Sequence, residues 1–132
     1  MERRSDCPIS FALDLFGDRW SLLVVRDLAL KGKHSFSELA ASDEGVATNV
    51  LSDRLARLEE AGVILKSRDP ADGRRYVYRL SGAGKDLLPV LVELIVWSAT
   101  HDDATAAPAS FVRAAKRDRE GLLRRLRASL DD

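Results

Sequence analysis

Two adjacent arginines, Arg74 and Arg75, stand in the stretch SRDPADGRRYVYRLS, between segments rich in apolar residues. The turn formers beside them are Pro70, Asp72 and Gly73. Residues 66–68 and 76–80 have the composition of short strands, which predicts a hairpin with both guanidinium groups at its tip. Guanidinium groups in that position can pair with phosphate oxygens. The simpler interpretation is a solvated turn whose charges keep a strand edge soluble.

A helix with a small polar face is predicted directly before the hairpin. Leu51, Leu55 and Leu58 recur at helical spacing along residues 47–61, and Gly62 is placed to end the helix. Short hydrogen-bonding side chains near its start can approach base edges closely, and arginines farther along can reach phosphates or guanine. The candidate DNA-contacting residues of this helix are Thr48, Asn49, Ser52, Asp53, Arg54 and Arg57.

Two of these positions have competing interpretations. Thr48 or Asn49 could instead cap the helix, because both roles use its first turn. Asp53 repels phosphate, so it must either accept a hydrogen bond from a cytosine amino group or pair with Arg57, four residues on.

The elements that position these residues are mainly helical. One helix is predicted from Pro8 to Gly17, and a second, capped by Asp18, ends near Gly32. Ser35 and Glu38 have the spacing of a capping box that opens a third helix. The candidate DNA-contacting helix and the hairpin follow. This order predicts a mainly α fold with a small β-hairpin wing, the winged helix-turn-helix.

Composition excludes several classes of function. The chain has 132 residues, no net charge, one cysteine and two distant histidines. This composition predicts no metal site, no cofactor and no catalytic group, so we do not expect an enzyme. It lacks an apolar run long enough to cross a bilayer and a recognisable signal peptide, which predicts a cytoplasmic protein without membrane contact. Residues 48–80 nevertheless carry seven basic and five acidic side chains, a local positive excess suited to double-stranded DNA.

Several motifs together resemble one family. CPISFALDLFGDRW, FSELA, VLSDRLARLEEAGVI and YRLSGAGKDLLPVLVELIVW are similar to the HxlR-type winged helix-turn-helix regulators over about residues 6–98. The resemblance implies a homodimeric, bacterial-type transcription factor that binds a pseudo-palindromic operator. The wing, DPADGRR, departs from the proline-rich wing usual in that family and is closer to that of MarR-type regulators. The chain after Asp103 lies outside the resemblance.

Cys7 occupies the position at which several members of this family carry a cysteine that senses oxidants or electrophiles. Here it precedes Pro8 at a predicted helix N-terminus, where the helix dipole favours the thiolate form. The resemblance therefore implies an oxidant or small-molecule effector. The alternative for Cys7 is a small buried hydrophobic residue without a sensing role.

A long apolar helix is predicted from Ser81 or Gly82 through Trp97, and it is expected to form a dimer interface together with the N-terminal helix. Its proposed interface residues are Leu87, Leu91, Leu94 and Ile95. Trp20 and Trp97 fit the core better than an effector pocket, because aromatic residues in apolar stripes are usually buried.

The chain is predicted to comprise a DNA-binding and dimerisation domain, residues 1–103, and a C-terminal extension, residues 104–132. The extension contains a basic helix over residues 110–130, in which Gly121 indicates a bend or a loosely held end. Packing of this helix on the dimer core is favoured over the alternative that its basic residues contact DNA. Two functions other than redox-sensitive DNA binding remain open. One is a winged helix used only for protein–protein contact, and the other is a regulator that responds to a small ligand without redox sensing.

Overall fold

The computed structural model of the chain describes residues 3–131. Within that range the chain divides into two compact units, the first ending at Gly84 and the second beginning at Lys85. The predicted boundary after residue 103 lies inside the second unit, and the division into domains stays a prediction. None of the described helices is both long enough and apolar enough to span a bilayer.

The first unit opens with two helices. Helix α1 spans Pro8–Phe16, with the proline in its first turn, and α2 spans Ser21–Leu30. Helix α2 is largely buried, whereas α1 has no buried residue. Ile9 and Leu13 on α1 are 71% and 60% exposed, so part of the apolar surface of this helix is left uncovered in the single chain.

Helices α3, Phe36–Ala40, and α4, Thr48–Glu60, form the helix-turn-helix. The predicted capping box is present, because Ser35 Oγ accepts from the Glu38 N–H and the Glu38 carboxylate accepts from the Ser35 N–H. Gly45 in the connection has a φ of 73°, a left-handed conformation that glycine adopts without steric cost. The leucines of α4 are buried as predicted, namely Leu51, Leu55 and Leu58.

A two-stranded antiparallel hairpin follows, formed by β1, Ile64–Arg68, and β2, Tyr76–Leu80. Its register pairs Ile64 with Leu80 at the base and Arg68 with Tyr76 near the tip. The Tyr78 N–H donates to the carbonyl of His34 at 2.7 Å, which ties the segment before α3 to β2. The predicted fold class, mainly helical with a small hairpin after α4, is confirmed.

The prediction of one continuous long helix from Ser81 or Gly82 is wrong. The chain instead forms a short helix α5, Gly82–Lys85, then a turn, and then α6, Leu88–His101. Pro89 lies in the first turn of α6, where its missing N–H costs nothing. Inside a continuous helix the same proline would remove a hydrogen bond and clash with the preceding turn. The helix therefore restarts at the proline.

The tail forms two helices, α7, Ala109–Arg117, and α8, Arg119–Asp131. The predicted bend at Gly121 is wrong, because the helix breaks at Asp118, whose Oδ1 accepts from the Gly121 N–H at 3.0 Å. Val92 of α6 is buried in one cluster with Ala115 and Leu122, so the tail packs against α6. Trp97 is 65% exposed, which contradicts its prediction as a core residue.

Candidate nucleic-acid interface

The start of α4 presents polar side chains to solvent. Thr48, Asn49 and Ser52 are exposed, and the N-cap residue is Ala47, which makes no side-chain capping bond. Thr48 and Asn49 therefore do not fill the N-cap position proposed as their alternative role. Because Leu51 and Leu55 are buried on the opposite side, the core determines which side of α4 faces solvent.

Asp53 and Arg57 lie farther along the same exposed face. The Nη1 atom of Arg57 is 3.9 Å from Oδ2 of Asp53, and its side chain is 53% exposed. Asp53 has a closer partner in Nη1 of Arg54, next to it in sequence. The predicted pairing of Asp53 with Arg57 is thus present, but at a distance near the upper limit for an ion pair. The Arg57 guanidinium remains accessible.

Arg54 differs from Arg57 because it points back into its own chain. Its Nε donates to Oδ2 of Asp18 at 2.9 Å. The same carboxylate accepts from the backbone N–H groups of Trp20 and Ser21 at 2.8 and 3.0 Å, and from Ser21 Oγ at 2.5 Å. The N-cap residue of α2 is Trp20 rather than the predicted Asp18, but the Asp18 carboxylate accepts from the first N–H groups of this helix and also binds α4.

These contacts perturb the acid–base chemistry of the pair. Burial raises the pKa of Asp18, but the hydrogen bonds from Ser21, Trp20 and Arg54 outweigh it and hold that pKa at about 2. The hydrogen bond to Asp18 raises the pKa of Arg54 in turn.

A second ion pair holds the connection between α3 and α4. Arg26 of α2 binds the Glu44 carboxylate in a bidentate manner, with Nη1 to Oε2 at 2.8 Å and Nη2 to Oε1 at 2.9 Å. These hydrogen bonds lower the pKa of Glu44 to about 2. Arg26 also donates to the buried carboxylate of Asp27 from Nε and Nη2, at 3.0 and 2.8 Å. Sequence reasoning missed this pair, whose members are 18 residues apart.

The hairpin tip carries the two arginines singled out by the sequence. The Arg74 side chain is 93% exposed, and its Nε is 3.5 Å from Oδ1 of Asp72. Arg75 is also exposed, while its backbone closes the turn by accepting from the Asp69 N–H at 2.8 Å. Both guanidinium groups are thus presented to solvent by an ordered turn.

The flank of the hairpin adds a basic surface that the sequence analysis did not single out. The Lys66 ammonium lies 4.2 Å from the ring centroid of Tyr76, and the Arg68 guanidinium lies 5.0 Å from the same centroid. These cation–π contacts hold the two charges in place on an exposed part of the wing. The alternation of side chains along the two strands could have predicted this surface, since Lys66, Arg68 and Tyr76 share one face in the observed register.

The remaining predicted site residues are spread over both units. Cys7 is the N-cap of α1 and is exposed in the single chain, where it is not the buried hydrophobic residue of the alternative interpretation. Leu94 on α6 is 47% exposed, and Leu87 and Ile95 are half-buried. Leu91 is only 6% exposed in the single chain, so little of its surface is available to a partner.

The first unit has two concave regions whose size can be compared with that of an effector. Trp20 borders a cavity of about 10 Å³, which is the space of a single water molecule. A larger groove of about 350 Å³ lies between α1 and the end of α4 and is bordered by Asp14, Leu15 and Arg57. No group of three or more potential metal ligands occurs among residues 3–131.

Comparison with other proteins identifies similar sequences. A family model described as HxlR-like helix-turn-helix matches residues 15–106. The uncharacterized HTH-type transcriptional regulator sll1512 of a Synechocystis strain is 35% identical over 88 residues, which cover 67% of this chain and 64% of sll1512. The chain thus spans less than two thirds of the length of this relative.

Solved structures with the same fold include two with informative names. PA1607, a candidate transcription factor, has a TM-score of 0.68 and 37% identity, covering 81% of this chain and 71% of PA1607. Quinone-bound YodB from Bacillus subtilis has a TM-score of 0.57 and 25% identity, covering 71% of this chain and 98% of YodB.

Proposed function

The chain belongs to the HxlR-like helix-turn-helix family, and from this premise we propose that it is a transcriptional regulator that binds double-stranded DNA through α4 and the hairpin. The observation that carries the proposal is the exposed polar face of α4 beside an arginine-tipped hairpin. Helix α4 is the recognition helix and lies in the major groove. The hairpin is the wing and follows the adjacent backbone.

Within this proposal, the two ends of the interface have different tasks. Thr48, Asn49 and Ser52 reach base edges, and asparagine is suited to the N6 and N7 atoms of adenine. Arg57, Arg74 and Arg75 neutralise phosphates, which adds affinity without reading sequence. Asp53, on the same face, accepts from a cytosine amino group and disfavours bases that present only acceptors there.

The regulator is proposed to act as a homodimer. The single chain leaves apolar side chains of α1 and α6 exposed, among them Ile9, Leu94 and Trp97. Exposed apolar surface of this kind is typical of subunit interfaces. The interface set is therefore revised by adding Trp97 to Leu87, Leu94 and Ile95, while Leu91 supports α6 from within the chain. A two-fold dimer places two recognition helices about 34 Å apart on a pseudo-palindromic operator.

Cys7 is the proposed site of a response to oxidants or electrophiles. Its exposure at the N-cap of α1 makes the thiol accessible to a reagent. The solved structures similar to this chain include diamide-treated and quinone-bound YodB, both at 25% identity. Because Cys7 is the chain's one cysteine, a disulfide formed by it joins two subunits or an external thiol.

Selection of bound duplexes from a random DNA pool tests the proposed function directly. We expect enrichment of two related half-sites separated by about one helical turn, or a multiple of it. A pool that shows no enrichment over several rounds, at a salt concentration where the protein retains some DNA, would contradict sequence-specific binding. If the protein binds a protein partner but has no affinity for DNA, the alternative of a winged helix used only for protein–protein contact would be favoured instead.

A further inference from the structure

Helix α2 and the residue just before it are bonded to the helix-turn-helix at two points. Asp18, just before α2, binds Arg54 in the middle of α4, and Arg26, in the middle of α2, binds Glu44 in the connection before α4. We propose that these two ion pairs set the angle at which α4 enters the major groove. Their four members are then positioning residues that do not touch DNA. The inference rests on the proposed DNA binding by α4.

The first pair directs Arg54 away from DNA. Its Nε is bound to Asp18 and its Nη1 to Asp53, and its side chain is 21% exposed, against 53% for Arg57 one turn later. The Asp18 carboxylate is itself held by two backbone N–H groups and by Ser21 Oγ. A carboxylate with this many donors has little freedom to move. Arg54 is thus attached to a rigid point.

The second pair anchors the connection that leads into α4. Glu44 is followed by Gly45, which has a left-handed backbone conformation. Because glycine can adopt many backbone conformations, Gly45 alone does not fix the path of the chain. Arg26 holds Glu44 with two parallel hydrogen bonds, a geometry that restricts both direction and distance. Arg26 is in turn fixed by Asp27, whose other oxygen accepts from Ser42 Oγ. Ser42 belongs to the same connection, so the segment before α4 is bound to α2 at two residues.

Two attachment points define the direction of a helix better than one. Glu44 precedes the first residue of α4 by four positions, and Arg54 is the seventh residue of α4. The leucine stripe of α4 fixes which side is buried, but apolar packing is not directional and tolerates small rotations. Hydrogen-bonded ion pairs in the connection before the helix and at its middle restrict such rotations. The polar face around Asn49 is thereby aimed.

A double-mutant cycle tests the first pair. Asp18→Asn, Arg54→Gln and the double variant are compared with the unmodified protein on a duplex selected from a random pool. All measurements are made at a temperature where circular dichroism shows every variant fully folded, so loss of stability alone leaves affinity unchanged. Each single variant is expected to bind about tenfold more weakly, and the double variant no more weakly than either, because the same attachment is lost in each.

The dependence of affinity on salt separates positioning from contact. Arg54→Gln is expected to leave the slope of log affinity against log salt unchanged, whereas the matched variant Arg57→Gln lowers it by about 0.9. Arg54→Lys, which keeps a charge for Asp18, is expected to recover most of the affinity. A lower salt slope for the single variant Arg54→Gln would overturn the proposal and make Arg54 a phosphate contact. An affinity loss in the double variant equal to the product of the two single losses would also overturn it.

Glu44→Gln tests the second pair with a nearly isosteric change. It removes the charge bound by Arg26 while Arg26 remains to compensate buried Asp27. We expect a loss of affinity of about tenfold with an unchanged salt slope, and unchanged affinity would overturn this half of the proposal. Arg127→Gln is the control, because it breaks an ion pair of the same 2.8 Å length in the second unit. Failure of the unmodified protein to bind any duplex would instead count against the proposed function.

Discussion

The Nε atom of Arg54 donates a 2.9 Å hydrogen bond to Oδ2 of Asp18, which lies 36 residues earlier in the chain. One carboxylate thus accepts from the first N–H groups of α2 and holds α4. Arginine and aspartate side chains on helices are usually solvated, and an exposed ion pair contributes little to stability. Here the carboxylate is only 22% exposed and has backbone donors as well, so the link between the two helices is fixed.

Acid is predicted to weaken the first unit through Asp18 and Glu44. Both carboxyls have a folded-state pKa of about 2, below their ordinary values of 3.8 and 4.5. Because the folded state lowers these pKa values, their stabilisation is complete above about pH 5 and is lost as pH falls towards 2. Each contributes on the order of 1 kcal/mol after allowance for solvent screening.

Urea unfolding at several pH values measures this effect. The Asp18→Asn, Glu44→Gln double variant should be less stable than the unmodified protein at pH 6 but should lose less stability between pH 5 and pH 2.5. An equally steep loss in the double variant would show that other carboxyls dominate the acid response.

The wing tip is predicted to contribute affinity without specificity. Arg74→Ala removes a side chain that is 93% exposed and should weaken binding to all duplexes similarly. The slope of log affinity against log salt should fall by about one for each lost phosphate contact, and Arg75→Ala should have a smaller effect. Fluorescence anisotropy over a salt series measures both quantities. An unchanged slope for Arg74→Ala would remove the tip from the interface.

The start of α4 is predicted to read bases. Asn49→Ala or Ser52→Ala should change preference at particular positions of the selected duplex, each by about 1 to 3 kcal/mol, because a base-edge hydrogen bond is lost. The thermal stability of both variants should stay close to that of the unmodified protein, since both side chains are exposed. Competition among duplexes with single base changes provides the measurement. Equal loss on operator and random DNA would argue against base readout.

The exposed residues of α6 are predicted to hold the dimer. Leu94→Glu should give a folded monomer, because Leu94 is 47% exposed in the single chain, whereas Leu91→Glu should unfold the chain, because Leu91 is 6% exposed. Sedimentation and circular dichroism together separate the two outcomes. A monomeric unmodified protein at micromolar concentration would show that the apolar surface has another use.

Local signals predicted much of the first unit. The capping box of Ser35 and Glu38, the leucine stripe of α4 and the turn around Gly73 are each encoded within a few residues and are present as predicted. Strand β1 begins two residues earlier than predicted, at Ile64. Features that depend on distant partners were not predictable. Nothing in the spacing of Asp18 and Arg54 indicates that they meet, and from the sequence alone Arg54 is a candidate DNA contact.

The errors in the second unit have a similar origin. Helical periodicity indicates an apolar α6 but not which side its own tail covers. Trp97, predicted in the core, is exposed, whereas Leu91, predicted at the dimer interface, is covered within the single chain. The break at Asp118 was missed because glycine propensity suggested Gly121, whereas the Asp118 side chain caps the following helix instead. Pro89 is a local signal for the start of α6, because proline is favoured in the first turn of a helix and disfavoured inside one.

The central claim is that α4 and the wing bind DNA in a sequence-dependent manner. Titration of the unmodified protein onto the selected duplex and onto a scrambled duplex of the same composition, at physiological salt, tests it most directly. The account predicts binding to the selected duplex at least about 1,000-fold tighter than to the scrambled one. Equal affinity for the two duplexes, or no measurable binding to either, would contradict it.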